Sequence, residues 1–235
     1  MMKKNRMKPA AVFGFLLAWM LILFVLAAAI YGMAGNAGLI TDEMLRHAPP
    51  GDTGLPEKDY PGVGRMITDY LTGRRTDFQY YRSDAEGNSY ACFRKHEADH
   101  MADCRGLIRL AGTLRWITGG ITLILLGTGP LMRAARKTFA QGVLRGLEIA
   151  AAAGLLILIW AAVDFDGLFV TFHRLAFTND GWLLDTRTDL LIRLMPVSFF
   201  VSLGARLLLW TGAAGIAAGI AAMMIKKQKG KVQYS

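Results

Sequence analysis

Apolar residues in this chain are gathered into four long blocks instead of recurring at an amphipathic period. The blocks cover about residues 10–32, 107–130, 143–163 and 198–225. A helix of about 20 apolar residues crosses the roughly 30 Å of bilayer hydrocarbon, and each block is long enough. The pattern therefore predicts an all-α integral membrane protein of 235 residues, a single membrane domain with four transmembrane helices.

The segment 33–106, between the first two blocks, is polar and predicts a small cap with some local structure. It begins with many glycines and prolines, and a short helix is predicted over Arg65–Leu71. Glu86-Gly87-Asn88 lies between apolar flanks and favours the turn of a short β-hairpin. From Arg94 the pattern becomes helical and runs into the second span.

The segment 164–197, between the third and fourth blocks, mixes aromatic and polar residues and predicts two short interfacial helices. Asn179-Asp180-Gly181 is a turn signal. Thr186 and Asp189 have the spacing of a capping box, which predicts a second helix that Pro196 ends.

The net charge of +9 is concentrated at three places in the chain. The basic clusters are Lys3, Lys4, Arg6 and Lys8; Arg133, Arg136, Lys137 and Arg145; and Lys226, Lys227, Lys229 and Lys231. Such clusters stay cytoplasmic during insertion, so both termini are predicted inside, and segments 33–106 and 164–197 outside. The charge thus sets topology and favours contact with membrane lipid, and it excludes a nucleic-acid footprint. The first block is too long for the apolar core of a cleaved signal peptide.

The acids of the predicted outer cap outnumber its bases. Examples are Asp42, Glu43, Asp52, Glu57, Asp59, Asp69 and Asp77. The two cysteines, Cys92 and Cys104, are both predicted outside, where an oxidising medium permits a disulfide. Two free, packed thiols are the alternative, and the sequence leaves both open.

His96-Glu97-Ala98-Asp99-His100 matches the H-E-x-x-H pattern of zinc peptidases. Charged neighbours such as Arg94 and Asp99, and the lack of a recognisable third ligand downstream, weaken this interpretation. The sequence predicts no metal site. His47, in a proline-rich loop, is interpreted as a surface residue.

His100 and His173 are the stronger candidates for chemistry. A carboxylate one helical turn away can orient an imidazole that acts as a base, and both Glu97 and Asp103 have that spacing from His100. His173 lies in a phenylalanine-rich run that follows Asp166, at a depth where ionisable groups are costly and usually functional. A solvated helix end and a histidine among headgroups are the respective structural alternatives.

Two arginines lie inside predicted spans. Arg115 and Arg206 are each about eight residues from the outer end of their span, or roughly 12 Å deep at 1.5 Å per residue. They are predicted to pair with acids of segment 164–189, or to donate hydrogen bonds to a developing oxyanion.

Three motifs together resemble one known family. They are Asp69-Tyr70-Leu71-x-Gly73, then Glu97-x-x-His100-Met101-x-Asp103, and the long stretch from Phe169-x-x-Phe172-His173 through Asn179-Asp180-x-Trp182, Asp185 and Asp189 to Pro196. With the number and order of the spans, they resemble the lipoprotein intramolecular transacylase (Lit) family. The resemblance covers nearly the whole chain.

The resemblance implies a reaction on diacylglyceryl-modified bacterial lipoproteins, at the outer face of the plasma membrane and without a cofactor. The sn-2 acyl chain moves from glycerol to the amine of the N-terminal cysteine and leaves the lyso form. His100 and His173 correspond to the essential histidines of the family, whereas His96 falls at a position the family does not fix. The supporting residues it implies are Asn179, Asp180, Trp182, Asp185 and Asp189.

The chain departs from the family pattern at two places. Thr186 stands where proline is common, and Val197-Ser198 replace frequent acidic residues. Acyl transfer needs a base, and His100 is predicted to fill that role with His173 as its partner; the reverse assignment remains open. A membrane zinc peptidase and a non-catalytic lipoprotein-binding factor are the alternative functions.

Overall fold

The computed structural model describes residues 8–131 and 133–227, which are mostly helical. In chain order its elements are α1 Pro9–Ala34, α2 Ala37–His47, α3 Pro50–Thr53, α4 Tyr60–Leu71, β1 Tyr81–Ser83, β2 Ser89–Ala91, α5 Lys95–Leu131, α6 Arg136–Val163, α7 Phe165–Ala176, α8 Leu190–Leu194 and α9 Val197–Lys227. Helices α1, α5, α6 and α9 are long and apolar enough to cross a membrane, which confirms the four predicted spans. Of the basic clusters, Lys3, Lys4, Arg6, Lys229 and Lys231 lie outside the described residues.

The cap contains more helix than the sequence indicated. The predicted hairpin is confirmed: β1 and β2 pair antiparallel, with Arg82 opposite Tyr90. Helix α2 was missed because glycines surround its start, where the Asn36 side chain accepts a hydrogen bond from the Leu39 amide at 3.0 Å. Helix α4 begins at Tyr60 instead of Arg65, since Pro61 occupies the first turn, where proline is tolerated.

The two helices predicted between the third and fourth spans are confirmed as α7 and α8, but the cap of α8 was wrong. Helix α8 begins at Leu190, directly after Asp189, so Thr186 does not cap it. Instead the Asp189 amide donates to the Asp185 carbonyl at 2.8 Å, which closes a turn just before the helix.

The described residues divide into two compact units. The first holds residues up to Ala27, Leu114–Trp160 and those from Leu209 onward. Within it α1 and α6 approach closely, because a side chain on Gly14 would meet the backbone of Phe139 and one on Gly142 would meet that of Ala11. Small residues at such crossings let membrane helices pack backbone to backbone.

The second unit holds Ala28–Thr113 and Ala161–Leu208 and contains every histidine of the chain. Its core is centred on α2 and α4, where Met44, Tyr60, Val63 and Ile67 are fully buried. Both cysteines are free thiols here, which corresponds to the second of the two alternatives.

Candidate active site

Glu97 fixes the beginning of α5. One carboxylate oxygen accepts a hydrogen bond from the Arg94 amide at 2.6 Å, as the glutamate of a capping box does. The other accepts from the Leu191 amide at 2.7 Å. The side chain is completely buried. Glu97 therefore joins the first turn of α5 to the first turn of α8.

Asp103 has a comparable role in holding the loop after α7. It accepts a hydrogen bond from the Asn179 side-chain amide at 2.9 Å. Within the described ranges neither Asp103 nor Glu97 hydrogen-bonds His100, so an orientation of His100 by either carboxylate stays a prediction. The polar neighbour of His100 is Cys104, whose sulfur lies 3.5 Å from Nε2.

His173 is held in one orientation by its own helix. Asp164 caps α7 by accepting the Gly167 amide at 2.8 Å, and the helix carries His173 in its last turn. Nδ1 of His173 lies 2.8 Å from the carbonyl oxygen of Phe169. Since a carbonyl oxygen only accepts, Nδ1 carries the hydrogen, and Nε2 of the neutral ring has the free lone pair.

The fold brings the two predicted histidines together. Their ring centroids are 6.1 Å apart, although the residues are 73 positions apart in the chain. The ring centroids of Phe169 and Trp182 lie 4.1 and 5.0 Å from that of His173. Phe177 packs edge-on to His100, with ring centroids 5.2 Å apart. Only 8% of His100 and 7% of His173 are exposed.

Phe169, Phe177 and Trp182 form an aromatic shell around the two histidines, and this shell keeps His173 neutral. Its burial lowers the pKa of His173 below the usual 6.5, although the hydrogen bond to Phe169 opposes the shift. Most molecules therefore hold an uncharged His173 imidazole at pH 7, and this imidazole is able to accept a proton.

His100 has an open bonding position. Its Nδ1 is buried and has no hydrogen-bond partner among the described residues. Leaving a buried polar atom unpaired costs about 1–3 kcal/mol, which makes such an atom a natural place for a ligand to bond. Each histidine of the pair thus has one ring nitrogen without a hydrogen-bond partner among the described residues. These nitrogens are Nδ1 of His100 and Nε2 of His173.

Asp189 ties the loop 185–189 to α5. It accepts hydrogen bonds from the Asp185 amide at 2.8 Å and the Thr188 hydroxyl at 3.1 Å, and it lies 2.9 Å from Nε2 of His96. Burial alone would raise the pKa of Asp189, but the hydrogen bonds from His96 and the Asp185 amide lower it. His96 is thereby bound to a different partner than His100. No group of three histidine, cysteine or acidic side chains converges in the described part of the chain.

The remaining predicted residues have other partners or are exposed. Arg206 donates to Glu43 of α2 at 2.6 Å, not to an acid of segment 164–189 as predicted. Asp185 pairs with Arg187, and Asp166 and Asp180 are exposed. Arg115 belongs to the first unit, where its guanidinium lies 5.1 Å from the ring of Trp116.

Two side-chain contacts of the second unit were not predicted from the sequence. Cys104 was considered only as a disulfide partner, yet its spacing of four residues from His100 places both on one helical face. His47, interpreted as a surface residue, is half-buried with Nε2 at 3.3 Å from the carboxylate of Glu43.

These features define a multi-pass membrane protein with a buried, aromatic-lined histidine pair. The family model described as lipoprotein intramolecular transacylase Lit matches residues 15–200. The chain belongs to this family, and the resemblance inferred from its motifs is confirmed. No protein with a curated description matches the chain.

Solved structures support the fold. The chain is similar to the membrane integral lipoprotein intramolecular transacylase Lit from Bacillus cereus, with 18% identity and a TM-score of 0.72 over 93% of this chain and 96% of that one. A variant of the Bacillus cereus protein with one histidine replaced by arginine matches with 18% identity and a TM-score of 0.66, over 95% of this chain and 93% of the other. The predicted fold class is therefore confirmed.

Proposed function

We propose that this protein moves the sn-2 acyl chain of a diacylglyceryl-cysteine lipoprotein to the α-amine of the same cysteine. The observation that carries the proposal is the pair of unbonded ring nitrogens inside one aromatic shell. Nε2 of His173 has a lone pair, and Nδ1 of His100 has no partner among the described residues. A transacylation that passes through a tetrahedral intermediate needs one base and one donor.

The tautomers favour His173 as the base, the reverse of the assignment favoured from sequence. His173 already donates through Nδ1, which leaves Nε2 to accept a proton. For His100, a thiol hydrogen of Cys104 directed to Nε2 at 3.5 Å places the ring hydrogen on Nδ1. His100 then donates to the developing oxyanion.

In the proposed reaction, His173 takes a proton from the cysteine ammonium group, and the freed amine attacks the sn-2 ester carbonyl. The carbonyl oxygen gains negative charge and accepts the Nδ1 hydrogen of His100. His173 releases this first proton to water and then takes a second proton from the attacking nitrogen, and it gives this second proton to the glycerol oxygen when the carbon–oxygen bond to glycerol breaks. An ester is lost, while an amide and a hydroxyl are formed. Both groups belong to one substrate, so positioning supplies much of the rate without an acyl-enzyme.

The aromatic shell contributes by excluding water. Phe169, Phe177 and Trp182 surround rings that are under one-tenth exposed, so water has little access to compete with the amine for the ester. Hydrogen bonds to the intermediate are also stronger in such a low-dielectric site.

Glu97, the general base that a zinc peptidase would need, is not available for that role in this structure. Both oxygens of Glu97 accept backbone amides, whereas a zincin glutamate faces the metal-bound water.

The proposed reaction is tested by mass spectrometry of one lipoprotein made with and without this protein, in a host that lacks N-acylation. We expect diacylglyceryl lipoprotein to be converted to the N-acyl, S-monoacylglyceryl form with both acyl chains retained. A net gain or loss of a chain indicates a second donor or hydrolysis. An unchanged lipoprotein at good expression favours the non-catalytic, lipoprotein-binding alternative.

We also infer that both termini face the cytoplasm and that the histidine pair faces outward. The support is the basic residues that flank the spans, of which Arg136 and Lys137 begin α6 and Arg145 lies nine residues after Arg136. The second unit, by contrast, carries the acid-rich cap.

The proposed topology predicts which exposed positions react with a membrane-impermeant thiol reagent in intact cells. In a background with Cys92 and Cys104 replaced by serine, Lys58→Cys and Arg187→Cys should be labelled, whereas Lys137→Cys should be labelled only after lysis. All three native side chains are exposed, so access within the protein does not bias the comparison. Labelling of Lys137→Cys in intact cells contradicts the topology.

A further inference from the structure

A cavity of the second unit is lined by arginines. It has a volume of about 200 Å³ and lies between the hairpin, residues 53–55 and α8. Its walls include Arg82, Arg94 and Arg193, with Tyr90 beside them. None of these residues belongs to the histidine pair or its aromatic shell. We call this cavity the arginine cleft.

The arginine cleft has more positive than negative charge. Arg82 pairs with Asp59 at 3.0 Å, and Arg94 lies 3.5 Å from Asp189. Arg193 donates only to the backbone carbonyl of Asp189, at 3.3 Å, and forms no ion pair within the described ranges. Its terminal nitrogens therefore remain available to an incoming anion, and a guanidinium fits a carboxylate through two parallel hydrogen bonds.

The distance between the arginine cleft and His100 determines which part of a substrate can reach the cleft. Arg94 directly precedes α5 and is six residues before His100. At 1.5 Å per residue this places it about 9 Å along the helix axis from His100. Arg94 thus lies beyond the polar end of α5, whereas the apolar half of this helix lies on the other side of His100, after Arg109. An extended peptide covers about 3.3 Å per residue, so about three residues bridge the distance.

We propose that the arginine cleft binds the lipoprotein polypeptide just after its lipidated cysteine, and selects substrates with Asp or Glu at about the fourth residue. This inference rests on the proposed function. With the ester at the histidine pair, the polypeptide leaves the bilayer toward the polar end of α5, where the cleft lies. A phospholipid phosphate is the weaker alternative. It stays near the depth of the acyl esters, whereas the arginine cleft lies farther toward the polar end of α5.

The test uses the full-length protein and three synthetic diacylglyceryl lipopeptides that differ only in Asp, Asn or Lys at the fourth residue. Wild-type protein should give a KM about fivefold lower for the Asp than for the Asn peptide, the upper range for an exposed ion pair. The Lys peptide should have the highest KM. The kcat should be similar for all three, and added salt should reduce the differences.

Arg193→Glu should reverse the ranking, so that the Lys peptide has the lowest KM. Arg193→Gln removes the charge with a smaller change of shape and should make the Asp and Asn peptides equal. The matched control is Arg187→Glu, because Arg187 is 86% exposed at its side chain and lies outside the cleft. The Arg187→Glu variant should rank the KM values of the three peptides as the wild type does.

Three results separate the possible failures. Equal KM for all peptides, with good turnover, overturns the arginine cleft as a peptide site and leaves the proposed reaction standing. No turnover of any peptide contradicts the proposed reaction itself. If phosphatidylglycerol vesicles lower KM equally for every peptide in the wild type but not in Arg193→Glu, the cleft binds a lipid phosphate and the peptide assignment is wrong.

Discussion

Alanine at His173 or His100 is expected to lower the rate of transacylation by about 10²–10⁴, the usual contribution of a general acid or base. His173→Ala removes the lone pair that accepts the ammonium proton, and His100→Ala removes the donor to the oxyanion. Residual activity should remain because the two reacting groups are still held in one substrate. The measurement is conversion of a purified diacylglyceryl lipopeptide, followed by mass spectrometry.

His96→Ala is the matched control for both variants. His96 lies one turn from His100 on the same helix, but its partner is Asp189 and its side chain is about half exposed. We expect His96→Ala to retain most of the activity. Equal losses of activity in His96→Ala and His100→Ala, together with stoichiometric bound zinc, would support the zinc peptidase function instead.

The two histidines are distinguished by amide substitutions. Asparagine at position 100 places an N–H donor near the former Nδ1, so His100→Asn should retain more activity than His100→Ala. Neither asparagine nor glutamine is basic, so His173→Asn and His173→Gln should be as inactive as His173→Ala. Recovery at position 173 but not at position 100 would reverse the assignment of base and donor.

The sequence predicted the elements that depend on local pattern. The four spans follow from long apolar runs, and the hairpin follows from a turn at Gly87, whose φ of 86° suits glycine. The histidine pair was also predicted: the local pattern favoured His100 and His173 over His96 and His47, and the family resemblance implied the same two.

The partners of the polar residues depend on distant parts of the chain, and for this reason they were not predicted. Glu97 bonds an amide 94 residues away, and Arg206 bonds a carboxylate 163 residues away. Spacing along one helix favoured Glu97 as the neighbour of His100, but the unpaired amides at the starts of α5 and α8 determine where its oxygens go. A capping glutamate and an orienting glutamate have the same sequence signature here.

Loss of Glu97 should therefore affect stability before chemistry. Glu97→Ala leaves the buried Leu191 amide and the partly buried Arg94 amide without acceptors, at up to about 1–3 kcal/mol each. For a chain of this size that corresponds to a fall of about 5–20 °C in the midpoint of thermal unfolding in detergent. Glu97→Gln retains one carbonyl oxygen and should give a smaller fall.

Asp99→Ala provides the matched comparison for Glu97→Ala, since Asp99 lies two residues away, has a side chain that is 61% exposed and pairs with Lys95. Its change should be small, because an exposed helical ion pair contributes about 0.3–0.5 kcal/mol. Because Glu97 positions α5 and α8 without touching the reacting atoms, the activity of Glu97→Gln at low temperature should stay well above that of His100→Ala. If Glu97→Gln melts like the wild type yet is as inactive as His100→Ala, the carboxylate takes part in the reaction, and the structural role assigned to it is wrong.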